Sequence, residues 1–245
     1  MPIDFWKGTG GVAGDFAYGT IHLTAVILLI LVTLGMCLLG AKMSKASQRK
    51  IIIAAAVISI FFEVFWRIIY LINGDKLIDL WPFYPCNLAG VLIPLIALTN
   101  NKTLKELFYV FAFVGGVITF VYPQGIFTNQ YLCFAILKSI LQHTAIIFIP
   151  VFEYCTGNFN PKLKNVYLSI IGIFIHLFNS EYLPRYMGKH GTDYIFLHSG
   201  LPFVIAGVPQ IYILGTLAVI VMVSLYMMLD MKSTRKLFKR PKKRK

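Results

Sequence analysis

Charge is scarce in this chain, and acidic charge is scarcest: only 13% of its 245 residues are Asp, Glu, Lys or Arg, and only ten are acidic. A soluble domain could not cover the surface of a chain that is 58% hydrophobic, and a disordered chain would not contain so much. No polar insert is long enough to fold alone, so a single bundle is expected over residues 1–229, with a basic tail at 230–245. The four cysteines, Cys37, Cys86, Cys133 and Cys155, sit in or beside four different apolar segments and never form a CxxC pair. That spacing argues against a zinc site and offers nothing in favour of a disulfide. Five histidines without paired helical spacing make no metal centre, and no cofactor is implied. Residues 1–19 lack a basic region leading into a cleavage site, so no removable signal peptide is expected.

What the chain does have is apolar runs, with a mean hydropathy of +0.73. They predict an all-α polytopic membrane bundle of about seven transmembrane helices. The spans are expected at Ile21–Leu39, Ile51–Ile72, Pro82–Leu98, Leu107–Tyr122, Tyr131–Phe152, Val166–Phe178 and Gln210–Leu229. Several lie near the lower length of about 17 residues that a spanning helix needs. Basic charge then alternates along the connections. Segments 41–50, 99–106, 153–165 and the tail hold seventeen Lys and Arg, against Lys7, Lys76, Arg185 and Lys189 on the other side. The positive-inside rule places the N-terminus outside and the tail in the cytoplasm. This tail reads as an anchor touching anionic lipid headgroups. No aromatic platform accompanies it, which argues against nucleic acid as a partner. The protein is expected in the plasma membrane of a bacterium or an endomembrane of a eukaryote.

Ionisable residues inside spans are costly and call for a reason. Ser59, Glu63, Trp66, Arg67 and Tyr70 form one stripe of the second span, with Glu63 and Arg67 spaced to pair. Two readings fit: an internal ion pair that holds the bundle, or a polar cavity wall with Arg67 near a phosphate or carboxylate. Lys138, Ser139, Gln142 and His143 make a polar face on the fifth span, and His143 is the best general base in the chain. His22 opens the first span, whereas His176, His190 and His198 read as structural. The external segment 179–209 is rich in Gly, Pro and aromatics, which suits backbone lining a cavity or lying at the interface. Within it, Asp193 fits either orientation of a histidine or a simple turn.

The stretch Trp81-Pro82-Phe83-Tyr84-Pro85-Cys86-Asn87 interrupts this pattern with two prolines, a thiol and an amide. The prolines disturb the helix start and free backbone groups to bind a ligand or an oxyanion, and Asn87 adds a side-chain donor. A thiol attacks as thiolate and needs a base. Counted from Tyr131, His143 lies roughly 18 Å deep, and Cys86 only about 6 Å from Pro82, so the two miss by about 12 Å. A third span beginning nearer Lys76 would put Cys86 about 15 Å deep and nearly close the gap.

The order of these landmarks resembles the YwaF-type bacterial integral membrane family. That family is related to the eukaryotic transmembrane protein 164 acyltransferases and, more distantly in fold, to the androgen-induced-gene hydrolases. The matching positions are His22, Glu63, Pro82 through Cys86, Tyr122-Pro123-Gln124, His143, and Gly191-Thr192-Asp193-Tyr194 with Pro202. The resemblance implies a compact bundle with a lipid-facing cavity, Cys86 as acyl-accepting nucleophile, His143 as its base, and phospholipid acyl chains as substrate. The candidate substrate-binding residues are Asn87, Tyr84, Glu63, Arg67, His22, Gln142, Asp193 and Tyr194. Bacterial members often carry His where this chain has Tyr84, and commonly Asn where it has Asp193. The leading expectation is therefore a lipid acyltransferase-like protein. An intramembrane ester hydrolase would use the same residues. A non-enzymatic transporter or lipid-binding protein would line its pathway with Glu63, Arg67, Lys138 and His143.

Overall fold

In the computed structural model of the chain, residues 5–6, 14–74, 76–123, 125–189, 194 and 210–231 are described. Among them the regular structure is helical, with no strand. The helices are α1 (Thr20–Gly40), α2 (Lys45–Ile72), α3 (Pro85–Thr99), α4 (Lys102–Val121), α5 (Phe134–Cys155), α6 (Val166–Leu177), α7 (Leu183–Tyr186) and α8 (Gln210–Asp230). A π-helical turn, Phe178–Tyr182, joins α6 to α7. Five stretches are long and apolar enough to cross a membrane: α1, α2, α4, α5 and the continuous segment Leu163–Tyr186, with α3 and residues 215–230 as shorter apolar helices. This is an integral, multi-pass membrane protein. The basic tail falls outside the described residues, and so do Gln124, Asp193, His190, His198 and Pro202.

The sequence explains the boundaries. Ser44 and Asn101 cap α2 and α4 by accepting from the backbone N–H groups of Ser47 and Leu104. Asn100 takes a left-handed conformation that ends α3. Pro85 is tolerated as the first residue of α3 because its missing N–H would have no helical partner there. The third span accordingly begins three residues later than expected, and its 15 residues reach only about 22 Å.

At the centre, α5 packs against α1, α2, α3 and α4. Outward faces stay apolar, as on α1, where Leu31, Leu34 and Leu38 are exposed. Such a belt suits a hydrocarbon surround. Without water to drive association, helices in lipid gain from close backbone approach at small residues. Gly172 shows it: a Cβ there would stand 2.0 Å from the Leu107 carbonyl oxygen, so α6 and α4 meet only because this position is bare. At the end of the bundle holding the α4 N-terminus, Lys105 pairs with Glu153 at 2.6 Å, both fully buried. There too, Arg49 donates to the Ala97 and Leu98 carbonyls that end α3.

Gly172→Ala is expected to lower the midpoint of thermal unfolding in detergent, at a cost of about 1–3 kcal/mol. Gly115→Ala, with open space around the added carbon, is the control that should leave the midpoint within error.

Candidate functional site

The segment before α3 is held open by α6 and its π turn. Trp81 Nε1 donates to Asn179 Oδ1 at 2.8 Å, and Asn179 Nδ2 donates to the Pro82 carbonyl at 2.7 Å. Ser180 Oγ donates to the Phe83 carbonyl at 2.5 Å. Non-helical backbone at membrane depth must find partners inside the protein, and these two side chains supply them. A π turn rotates side chains off the helical register, which explains why adjacent residues 179 and 180 both reach one strand of backbone. Nothing in the polarity pattern of 166–182 marks these residues as partners of 81–83. The sequence offers two prolines as the only hint that such partners are needed.

Behind this segment lies a polar chamber of about 150 Å³, lined by Glu63, Arg67, Lys138, Asn87 and a set of aromatics that includes Trp66, Tyr70, Trp81, Tyr84 and Tyr194. One carboxylate faces two cations. Glu63 pairs with Arg67 at 2.5 Å and with Lys138 at 2.8 Å. Arg67 is fixed further by donating from Nε to the Leu80 carbonyl at 3.1 Å. The Glu63–Arg67 pair is thus internal and also lines a cavity. Lys138 adds a second cation from the facing helix.

From Lys138 the network runs toward the thiol. Lys138 Nζ donates to Gln142 Oε1 at 2.9 Å, and Gln142 Nε2 donates to the backbone carbonyl of Cys86 at 3.1 Å. Gln142 has room to do so because position 90 of α3 is glycine: a Cβ there would lie 2.0 Å from Gln142 Nε2. This hydrogen bond also corrects the depth argument. It sets the ninth residue of α5 level with the second of α3, so the helices do not start at one height and the estimated gap of about 12 Å does not apply.

Cys86 is not among the residues that line the chamber. It lines a second cavity of about 160 Å³ with Ala89, Ala112, Gly116, Thr119 and Ile146, and Tyr84 and Tyr194 border both cavities. Tyr194 packs on Phe83 and Tyr84 with ring centres 5.1 and 5.0 Å apart, forming a partition between polar and apolar space. The apolar cavity shares Pro85, Phe111 and Gly115 with a groove of about 410 Å³ between α4, α6 and α8.

His143 is buried on α5, one turn before Ile146 on the same face. Its Nδ1 lies 2.7 Å from the Ser139 carbonyl. A carbonyl only accepts, so the proton is on Nδ1 and Nε2 keeps a bare lone pair. Nε2 has no partner among the described residues, and no hydrogen bond joins His143 to Cys86 there. His22 lies elsewhere. Its Nδ1 accepts from the Tyr18 N–H and its Nε2 donates to the Phe120 carbonyl at 2.8 Å, tying the start of α1 to the end of α4. At the chamber mouth, Lys189 pairs with Asp79. Each holds the other charged, keeping the Asp79 carboxyl below and the Lys189 ammonium above its ordinary value.

Helices of this length and apolarity, around a chamber with buried charge and a flanking thiol, define a polytopic membrane protein with an internal site. The chain belongs to the TMEM164 family, whose family model matches residues 17–229. No curated protein and no solved structure matches it.

Because Glu63 answers two cations, removing it strands both. Glu63→Leu is expected to destabilise the protein more than Lys138→Met, by about 3 kcal/mol or more against a smaller loss, read from thermal unfolding in detergent. The Asp79–Lys189 tether has the opposite titration limits. The depressed carboxyl keeps it intact down to below the ordinary carboxylate range, and the raised ammonium keeps it intact to above the ordinary lysine value. Amide protection factors around residues 76–80, which divide out the intrinsic pH dependence of exchange, should be flat between about pH 5 and pH 10 and fall only outside that window.

Proposed function

We propose that the protein transfers acyl chains between membrane lipids through a thioester on Cys86. The observation that carries this is the meeting of the two cavities at the start of α3. Asn87 lines the polar chamber and Cys86 the apolar one. A phospholipid ester has the same division, a charged headgroup on one side of its carbonyl and hydrocarbon on the other. With the headgroup in the chamber and the chain in the apolar cavity, the ester falls at the thiol. The chamber's charges favour this pose: with Asp79 answered by Lys189, Arg67 and Lys138 outnumber Glu63 by one cation and suit a phosphate.

The chemistry then needs a base, an oxyanion site and an acceptor. His143 Nε2 takes the thiol proton, and its fixed tautomer is the one a base requires. The thiolate adds to the ester carbonyl. The oxyanion is met by the Asn87 side chain and by the backbone N–H groups at the start of α3, where the N-cap residue Tyr84 supplies no capping side chain. The C–O bond breaks, and the departing alcohol takes the proton from His143. A second lipid hydroxyl attacks the thioester, returns its proton through His143 and leaves with the chain. Water in place of that hydroxyl gives hydrolysis with the same residues. Gln142 and Lys138 act as positioning residues, since one holds the Cys86 carbonyl and the other holds Gln142.

The test is labelling in membranes with a lipid-like activated ester, read by mass spectrometry of the peptide carrying residue 86. An acyl adduct on Cys86 is expected, absent in Cys86→Ser and formed at least about 100-fold more slowly in His143→Ala. Equal labelling of wild type and Cys86→Ser would end the proposal. Ion flux that responds to Glu63→Gln and ignores Cys86→Ala would instead favour a transporter.

A further inference from the structure

His176 sits on α6 at the wall of the large groove and takes no part in the chemistry above. It is only 2% exposed, and neither ring nitrogen has a hydrogen-bond partner among the described residues. Its neighbours are rings, with the Phe111 and Phe108 centroids 4.8 and 5.8 Å away. A donor and an acceptor buried without partners cost free energy that a leucine or phenylalanine at this position would avoid. A single trapped water is a poor remedy. It needs two to four polar partners, and the groove around His176 offers hydrocarbon from Ile173, Leu177, Ala218 and Met222.

The groove is also open to the right solvent. Ile118, Leu217 and Val221 on its rim are exposed, so its mouth faces lipid. It shares Pro85, Phe111 and Gly115 with the cavity that holds Cys86. From these juxtaposed features we infer that the groove binds a hydrocarbon chain bearing a hydroxyl or similar oxygen part-way along its length, and that His176 recognises that oxygen. Both ring nitrogens are sealed by their neighbours, so the ring turns toward the groove as the chain enters; a hydroxyl then accepts from the protonated nitrogen or donates to the bare one, and the attached hydrocarbon fills the groove on either side. His176 thus becomes a specificity-determining residue. The inference rests on the lipid reading of the groove, and it names the chemical class of chain that the groove prefers.

The experiment measures binding rather than turnover. Purified Cys86→Ser protein in nanodiscs is loaded with a fluorescent fatty-chain probe. The probe is displaced by octadecanoic acid or by a set of monohydroxy-octadecanoic acids with the hydroxyl stepped along the chain. At least one hydroxylated member is expected to displace it about tenfold more strongly than the plain chain, the factor that one buried hydrogen bond supplies. Adding His176→Phe should bring all members within about twofold of one another, and His176→Gln, which keeps a donor and an acceptor, should retain part of the gain. Equal displacement by plain and hydroxylated chains overturns the inference with no variant needed, and so does a preference that survives His176→Phe. Displacement by no chain of either kind would defeat the groove itself, and with it the lipid reading on which this rests.

Discussion

Everything at the site depends on one buried carboxylate. Glu63 stands inside the membrane, where an isolated ion is expensive, and it answers cations from two helices. Arg67, from its own helix, ties it to the backbone ahead of α3, and Lys138, from α5, ties it to Gln142. Around this acid α2, α5 and the start of α3 are fixed relative to one another. One carboxylate and two cations thus meet at the chamber wall, with the Asp79–Lys189 pair at its mouth.

The other side of the site is lined mainly by hydrocarbon. The cavity beside Cys86 and the groove beyond it owe part of their shape to what is missing: a side chain at Gly115, where an added carbon would meet nothing, and helix before Pro85. Polar space is built by charges that hold each other, and apolar space by residues that leave room. The thiol lies where the two kinds of construction meet.

Much of this was legible in the residues. The seven apolar runs, the Glu63–Arg67 pairing and the polar face of α5 follow from hydropathy and helical spacing, because a membrane punishes departures from both. Depth was not legible. It was counted from helix starts assumed to be level, and the Gln142–Cys86 contact shows that they are staggered. Nor did the residues reveal the π turn that brings Asn179 and Ser180 onto one strand of backbone, since the register change leaves no compositional trace. His176 read as structural for a sound reason, as most buried histidines find a partner. This one has none among the described residues. The expectations for Asp193 and the basic tail concern residues beyond those described.

Position 90 has a consequence beyond the geometry of one chain. Gln142 occupies the volume that a side chain at 90 would need, and it spends its amide on the backbone of the next turn. The two positions are therefore one unit of inheritance. A lineage that acquires any side chain at 90 must first shorten residue 142, and one that loses the glutamine frees 90 to drift. Across related sequences the pair should change together or not at all, and that pattern of exchange would trace the α3–α5 contact.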